Sequence, residues 1–249
     1  MSALLFDIQN IDLQLSKSEK PILSNITYQI QKEDFIIVLG SNGSGKTSLL
    51  KLLDQQYQPS SGNIFLNGKL LTDYSKIELS HSIKTLTQNV NESLFASLTI
   101  FENCLLTKKI HQSPLSYMKK SNERAFFKDY LAPFNMKLSS NLDQIVDSLS
   151  GGEKQSLALA LKVLYPPRVL LLDEHTSALD PKSSEIIMAL TQEIAKKYAI
   201  TCLLTTHNLN IAKNYGNRIL TLKNGKISQY IEAKEKEKLT SHDLLASCY

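Results

Sequence analysis

The sequence predicts an α/β protein with a mainly parallel β-sheet, an N-terminal antiparallel β-region and an inserted α-helical segment. Three observations support this prediction. Segments of alternating polarity open the chain, five apolar residues in a row form 35–39, and strand and helix patterns alternate again after residue 164. Alternating polarity is typical of antiparallel strands with one solvated face, whereas a continuous apolar run is typical of a parallel strand that is buried on both faces.

The first ninety residues contain the predicted antiparallel strands and the first parallel strand. Apolar and polar residues alternate over 11–15 and again over 26–30, which indicates two half-buried strands. The apolar run 35–39 ends at a glycine, and a helix is expected over 47–53. Asn67-Gly68 after an apolar segment predicts a β-hairpin.

The middle of the chain loses its strand character. Apolar residues recur at helical spacing near residues 100–105 and 126–131, with Pro114 and Pro133 between the predicted helices. We therefore predict one domain over 1–249. Its core comprises 1–90 and 164–249, and its helical subdomain comprises 91–163.

The last third alternates strands and helices. The patterns predict, in order, a helix over 152–165, a strand over 168–172, a helix over 181–198, a strand over 201–205, and a hairpin at Asn224-Gly225. Alternating charges over 232–238 predict a final solvated helix. This order of elements is typical of an α/β fold.

Composition limits the classes of function. The net charge of +4 is not clustered into a nucleic-acid-binding arm, and no apolar run approaches the length of a membrane span. Cys104, Cys202 and Cys248 are widely separated, which disfavours a disulfide framework and a zinc site and fits a reducing compartment. We expect a cytoplasmic protein that reaches a membrane only through a partner.

A glycine-rich motif follows the apolar strand 35–39. It matches G-x-x-x-x-G-K-[ST] and lies between a strand and a helix, the context that distinguishes a phosphate-binding P-loop from a glycine-rich turn with a surface lysine. Lys46 is predicted to reach the β- and γ-phosphates of ATP, and the Thr47 hydroxyl to bind Mg²⁺. The predicted nucleotide-binding residues are Gly40, Ser41, Asn42, Gly43, Ser44, Gly45, Lys46, Thr47 and Ser48.

Two adjacent carboxylates end a second apolar strand. Asp173 and Glu174 follow 169–172, at the carboxyl end of a strand, where open α/β sheets bind ligands. Asp173 suits the Mg²⁺ shell, and Glu174 suits a general base for the attacking water. Without the upstream P-loop, an ordinary strand exit would be the better interpretation of this pair.

A third motif precedes a long helix. Leu149-Ser150-Gly151-Gly152-Glu153 combines a hydroxyl with bare backbone N–H groups at a helix N-terminus, a pattern that suits an anion but also a simple serine cap. The sequence here resembles the ABC (ATP-binding cassette) ATPase signature. The resemblance implies that Ser150, Gly151, Gly152 and Glu153 contact the ATP of a second subunit in a head-to-tail dimer.

Further positions fit the same resemblance. Gln88 stands where the family has a Mg²⁺- and water-contacting glutamine, 177–180 stands at the loop that crosses the dimer interface, and His207 stands at the γ-phosphate-contacting histidine. The resemblance thus implies catalytic roles for Lys46, Gln88, Glu174 and His207 and metal contacts from Thr47, Gln88 and Asp173.

Two positions depart from the family pattern. Leu15 stands where an aromatic residue often stacks on adenine, so the resemblance implies apolar contact instead. His175 stands where proline commonly follows the catalytic glutamate. Its imidazole either tunes the pKa of Glu174 or has no chemical role.

The resemblance implies the ATPase of a transporter, most simply of an importer. Its implied partners are a second copy or another cassette, an integral membrane permease that holds it at the inner face of the membrane, and a substrate-binding protein. The segments 173–181 and 215–218 resemble importers of amino-acid-like cargo. One alternative is a soluble ABC ATPase that acts on nucleic acid or ribosomes, although the chain has one cassette and no sustained heptads. The other is a nucleotide sensor without turnover.

Overall fold

The computed structural model describes residues 3–15, 20–110 and 122–236, and these form a mixed α/β fold. The strands are β1 (Leu4–Leu13), β2 (Leu23–Gln31), β3 (Phe35–Leu39), β4 (Ser61–Leu66), β5 (Lys69–Leu70), β6 (Ile83–Leu86), β7 (Val169–Asp173), β8 (Thr201–Thr206), β9 (Arg218–Lys223) and β10 (Lys226–Ile231). The helices are α1 (Lys46–Leu53), α2 (Lys76–Ser82), α3 (Ile100–Ile110), α4 (Glu123–Leu131), α5 (Met136–Ser140), α6 (Gly151–Val163), α7 (Pro181–Lys197), α8 (Leu209–Asn214) and α9 (Ala233–Lys236).

A four-stranded sheet contains the N-terminal strands in the order β2-β1-β4-β5. All its pairings are antiparallel, as the alternating polarity predicts. Asn67 and Gly68 have φ angles of 50° and 78°, the left-handed pair that a tight hairpin between β4 and β5 requires. Strand β1 ends at Leu13, so Leu15 lies outside it.

A six-stranded sheet has the order β10-β9-β3-β8-β7-β6. Strand β3 pairs in parallel with β8 and β9, and β7 pairs in parallel with β8, so the predicted mainly parallel sheet is confirmed. All five residues of β3 are buried, because this strand lies inside the sheet. Asn224 and Gly225 close the antiparallel β9–β10 hairpin.

Helix α1 connects the apolar core to the loop that precedes it. Four leucines, Leu49, Leu50, Leu52 and Leu53, are each at most 2% exposed and pack into a core shared with both sheets. Burying each such side chain stabilises the fold by about 1.5–3 kcal/mol. The start of α1 is therefore held firmly at the carboxyl end of β3.

The backbone groups into two compact units. The first comprises Met1–Thr85, Pro167–Glu174 and Gln192–Tyr249, and the second comprises Leu86–Pro166 and His175–Thr191. The described part of the second unit includes α3, α4, α5 and α6, with Ile100, Cys104, Phe127 and Leu131 fully buried. Pro133 separates α4 from α5, whereas Pro114 and Cys248 lie outside the described residues. The predicted subdomain bounds at 91 and 163 stay a prediction.

The end of the described chain corrects one expectation in part. The sequence predicts a solvated helix over 232–238; residues 232–235 are exposed, but Lys236, the last described residue, is only 8% exposed. The Lys236 ammonium donates hydrogen bonds to the carbonyl oxygens of Tyr215 and Gly216, and burial lowers its pKa to about 8. A charge pattern alone could not reveal this, because a long lysine stem can pack against apolar surface while its ammonium reaches carbonyl oxygens.

Across the described ranges, no helix combines the length and the apolar character that crossing a bilayer requires.

Candidate active site

The loop between β3 and α1 is shaped for an anion. Helix α1 begins after Gly45, which has φ 102°, and no side chain caps its N-terminal N–H groups. The first turn of α1 contains no acidic residue, so the positive end of the helix dipole is not offset there. Ser44 is buried, and its hydroxyl has no hydrogen-bond partner within the described residues. An anionic oxygen at this loop would satisfy these groups.

Lys46 lies against this loop. Its ammonium donates hydrogen bonds to the carbonyl oxygens of Gly40, at 2.8 Å, and Ser41, at 3.1 Å. The same nitrogen lies 3.5 Å from Glu174 Oε1, and Lys46 is only 6% exposed. A buried cation needs such compensation, and the loop therefore holds the ammonium in place before any ligand arrives.

Thr47 and Asp173 form an oxygen pair that fits Mg²⁺. The Thr47 hydroxyl donates to Asp173 Oδ1 at 3.0 Å, and the Thr205 hydroxyl donates to the same oxygen at 2.6 Å. In the described part of the chain, no cluster of three or more His, Cys, Asp or Glu side chains could hold a metal ion. Mg²⁺ is commonly bound by one or two protein oxygens together with substrate phosphates, so a hydroxyl and one carboxylate are a sufficient protein contribution.

Glu174 lies directly after β7 in a constrained conformation. Its φ of 46° is unusual for a residue with a side chain, and such strain costs on the order of 1–3 kcal/mol. The Glu174 N–H donates both to the Thr205 carbonyl oxygen, at 3.2 Å, and to the Thr205 hydroxyl, at 3.1 Å. His207 Nδ1 lies 3.3 Å from Glu174 Oε1, the oxygen that also faces Lys46. One carboxylate oxygen thus lies between a cation and a histidine.

Together these groups can carry out phosphoryl transfer to water. The loop offers N–H donors and an ammonium for phosphate oxygens, the Thr47–Asp173 pair offers metal ligands, and Glu174 offers a base for a water molecule. The structure thus brings together in the first unit the predicted residues 40–48, Asp173, Glu174 and His207. Ser41, Asn42 and Thr47 are exposed, so the loop is accessible to a ligand.

The predicted signature residues occupy the start of α6 in the second unit. The Ser150 hydroxyl accepts a hydrogen bond from Glu153 N at 3.4 Å, and Glu153 Oε2 accepts one from Ser150 N at 2.9 Å. These bonds form a capping box. The hydrogen bond from Ser150 N lowers the pKa of the Glu153 carboxyl, and Lys137 Nζ lies 3.3 Å from its other oxygen. A nucleotide contact by Glu153 stays a prediction, because its carboxylate serves here as a helix cap.

For three further predicted positions, the structure gives the location but does not test the predicted role. Gln88 is exposed and follows β6 by two residues. Leu15 is 38% exposed. In the interface-loop stretch 177–180, Asp180 Oδ1 accepts a hydrogen bond from Ser183 N at 3.0 Å, at the start of α7. The roles of these residues stay predictions.

His175 is buried and neutral. Its Nε2 lies 3.3 Å from the Thr191 hydroxyl, which itself donates to the Ile187 carbonyl oxygen at 2.7 Å. Thr191 therefore accepts from His175 Nε2–H, which leaves the lone pair on Nδ1 without a partner among the described residues. Burial lowers the pKa of His175 to about 3. The imidazole thus links His175 to α7 within the second unit.

Sequence reasoning missed one residue of this site. Thr205 contacts both Asp173 and Glu174, but its position opposite Asp173 depends on the pairing of β7 with β8. The only signal was the polar pair Thr205-Thr206 at the end of β8, and this signal does not indicate which residues lie next to Thr205.

Comparison with known proteins agrees with this geometry. The family model described as "ABC transporter" matches residues 23–177. A tyrosine transport ATP-binding protein of Clostridioides difficile is 35% identical over 90% of this chain and 89% of its own length. A phosphonates import ATP-binding protein of Oceanobacillus iheyensis is 30% identical over 90% of this chain and 88% of its own. A methionine import ATP-binding protein of Haemophilus ducreyi is 33% identical, and the match covers 90% of this chain and 64% of that relative.

Solved structures have the same fold. The structure of cbiO1 from Clostridium perfringens, described as part of an ABC transporter complex, matches 95% of this chain and 92% of its own, with a TM-score of 0.82 and 26% identity. A dimeric ATP-binding cassette in a post-hydrolysis state, bound to ADP and Pi, matches 92% of this chain and 99% of its own, with a TM-score of 0.75 and 25% identity.

Proposed function

The chain belongs to the ABC transporter family, and from that premise we propose that its ATP hydrolysis drives solute import through a separate membrane permease. It is an ATP-binding and ATP-hydrolysing subunit of the family's cassette type. The observation that carries the proposal is that Lys46 and His207 both lie beside the same carboxylate oxygen, Glu174 Oε1, next to the Thr47–Asp173 pair.

Each residue of this constellation has a proposed task. The N–H groups of the loop and Lys46 bind the phosphates of ATP, and Thr47 and Asp173 hold Mg²⁺, which offsets phosphate charge when it is bound. Glu174 accepts a proton from the attacking water, and His207 orients the Glu174 carboxylate. The left-handed backbone at Glu174 aims this side chain before the substrate arrives.

We propose that a second cassette completes the site. Ser150, Gly151 and Gly152 lie at a helix N-terminus, where a hydroxyl and N–H groups suit the γ-phosphate of ATP held by another copy. The structurally similar cassette bound to ADP and Pi is described as dimeric, which supports this proposal. Gln88 is proposed to contact Mg²⁺ and water in the assembled site.

Import of an amino-acid-type solute is the direction and cargo we propose. Two relatives are described as import ATP-binding proteins, and a third as a tyrosine transport ATP-binding protein. The partners would be an integral membrane permease, which places this chain peripherally at the inner face of the membrane, and a substrate-binding protein. No observation favours action on nucleic acid, since the net charge is only +4.

The catalytic proposal is tested by Glu174→Gln. Removing the base should lower the rate of ATP hydrolysis about 10²- to 10⁴-fold while ATP still binds. Because the bound ATP is not hydrolysed, the variant should remain a dimer in the presence of ATP, which gel filtration measures. The matched control is Glu193→Gln on an exposed face of α7, which should hydrolyse ATP like wild type. A Glu174→Gln protein with wild-type turnover would show that this carboxylate is not the base.

The transport proposal is tested in the native cell. Deleting the gene should abolish uptake of one labelled amino-acid class, and uptake should return with the wild-type gene but not with Glu174→Gln. Unchanged uptake across the amino-acid panel, with reduced solute efflux instead, would contradict import.

A further inference from the structure

We propose that Thr205 is a positioning residue for ATP hydrolysis, because its buried hydroxyl links the Asp173 carboxylate to the backbone N–H of Glu174. The inference rests on the roles proposed above for those two residues. It assigns a role to a third residue that lies on a neighbouring strand.

The pairing of two parallel strands creates this link. Strands β7 and β8 run side by side with Asp173 opposite Thr205. The Thr205 hydroxyl donates its proton to Asp173 Oδ1 at 2.6 Å and accepts a hydrogen bond from Glu174 N at 3.1 Å. A hydroxyl has one proton to donate and lone pairs to accept, so a single group serves both contacts. Thr205 is fully buried, so water cannot replace it without opening the sheet.

The first contact fixes the carboxylate that is proposed to hold the metal. Asp173 Oδ1 accepts from both Thr47 and Thr205, which disfavours rotation of the carboxylate about its terminal bond. Neither of these bonds uses Oδ2. Groups that hold a metal ligand in place in this way are typically worth about 10- to 100-fold in metal affinity or activity.

The second contact fixes the peptide that aims the proposed base. Glu174 adopts φ 46°, which is unfavourable for a residue with a side chain and persists only where surrounding bonds enforce it. The Thr205 hydroxyl and carbonyl oxygens both accept from Glu174 N, at 3.1 and 3.2 Å. Loss of the hydroxyl would loosen the metal ligand and the base together.

Valine and serine variants separate the hydroxyl from the rest of the side chain. Thr205→Val keeps the shape and removes the hydroxyl, whereas Thr205→Ser keeps the hydroxyl and its bonds. Thr221→Val is the matched control, because Thr221 is equally buried in the same sheet and its hydroxyl has no partner among the described residues. Thermal unfolding by circular dichroism checks that each variant folds, and Thr205→Ala replaces the valine variant if that one does not fold.

The measurements are Mn²⁺ affinity by electron paramagnetic resonance, with a non-hydrolysable ATP analogue present, and kcat and KM for ATP hydrolysis. For Thr205→Val we expect Mn²⁺ affinity and kcat to fall about 10- to 100-fold, with binding of the analogue in EDTA unchanged. Thr205→Ser should stay within about threefold of wild type, since the hydroxyl is retained. Thr221→Val should match wild type in every readout.

Two results would overturn the inference. The first is a Thr205→Val protein with wild-type Mn²⁺ affinity and kcat. The second is an equal loss of Mn²⁺ affinity and kcat in the serine and valine variants, which would show that the hydroxyl is not the group responsible. Either result, obtained while Glu174→Gln is inactive, leaves the proposed catalytic roles intact. If Glu174→Gln hydrolyses ATP normally, the catalytic proposal itself is wrong.

Discussion

The starts of helices α1 and α6 both contain serine and glycine, but their electrostatics are opposite. Each lies within a motif that the sequence predicts to be an anion site. Helix α1 begins after Gly45 without a side-chain cap, and the Lys46 ammonium lies against its loop. Helix α6 begins with a capping box in which the Glu153 carboxylate accepts a hydrogen bond from Ser150 N.

We call the start of α1 the prepared site, because its charges already favour an anion, and the start of α6 the conditional site, because a carboxylate already occupies it. At α1, the helix dipole and a cation attract phosphate together, so binding needs little rearrangement. At α6, a carboxylate already offsets the dipole, and an incoming phosphate meets its negative charge. The Ser150 hydroxyl accepts from Glu153 N and keeps its own proton to donate. We therefore expect ATP to bind first at the α1 loop and to engage α6 of a second copy only afterwards.

The sharpest test of the prepared site is Lys46→Met, which keeps the apolar stem and removes the charge. Removing one partner of a buried charge interaction costs about 2 kcal/mol or more, so ATP affinity should fall at least about 30-fold. Equilibrium binding of a fluorescent ATP analogue measures this. Lys51→Met, in the last turn of the same helix, should bind like wild type. Equal affinity in both variants would show that the ammonium at the loop does not hold ATP.

Buried ionisable groups extend the comparison between the two regions. The first unit buries the Lys46 side chain at its loop, whereas the second unit buries His175 as a neutral group with its pKa lowered to about 3. An unfolded histidine takes up a proton near pH 6.5, so the folded state loses relative stability as the pH falls below that value. The free energy of unfolding should drop by about 1.4 kcal/mol per pH unit, or about 2 kcal/mol at pH 5.

His175→Gln should remove that slope, because a glutamine amide can donate to Thr191 without titrating. Urea unfolding at pH 7 and pH 5 measures it, and His81→Gln, at an exposed histidine, should keep the wild-type slope. A His175→Gln protein that still loses about 2 kcal/mol between these pH values would show that another group titrates.

The sequence predicts the two regions unequally, and the reasons are physical. The loop before α1 and the Asp173-Glu174 pair each consist of consecutive residues, so a local sequence pattern is enough to predict where they lie. The contact between Thr205 and Asp173 depends on which strands are neighbours and in what register, and no local pattern contains that information. Strand β6 was missed because four residues, two of them half-buried, do not display a period.

The capping box is predicted only in part. The sequence indicates a simple serine cap at Ser150, but the reciprocal bond to Glu153 was not predicted. Serine followed three residues later by glutamate is a known helix-start pattern, and Ser150 and Glu153 have that spacing. Both interpretations, a cap and an anion site, apply to the same residues, because a helix N-terminus can bind either its own side chain or an external anion.

Glycine-to-alanine substitutions separate what the fold requires from what the ligand requires. A Cβ at Gly45 would lie 2.6 Å from Leu23 Cδ2 on a backbone with φ 102°. We expect Gly45→Ala to lower the free energy of unfolding by about 1–2 kcal/mol or more. A Cβ at Gly152 would lie 3.5 Å from Ser183, an ordinary contact, so Gly152→Ala should leave stability unchanged or raise it by about 0.5–1 kcal/mol.

Urea unfolding and ATP turnover should be measured on both variants. Loss of turnover in a fully stable Gly152→Ala protein would show that the glycine serves the ligand of the second copy. Wild-type turnover in that variant would instead remove Gly152 from the nucleotide site.

Glu153→Gln tests the conditional site with the smallest expected effect. The amide oxygen can still accept from Ser150 N, so the cap remains while the negative charge is removed. A charge at a helix terminus is worth about 0.3–1 kcal/mol, so ATP-dependent dimerisation should strengthen about two- to fivefold. Sedimentation of the Glu174→Gln background with and without Glu153→Gln measures this without turnover. Weaker dimerisation would mean that the carboxylate supports the second site, and the two helix starts would then act alike.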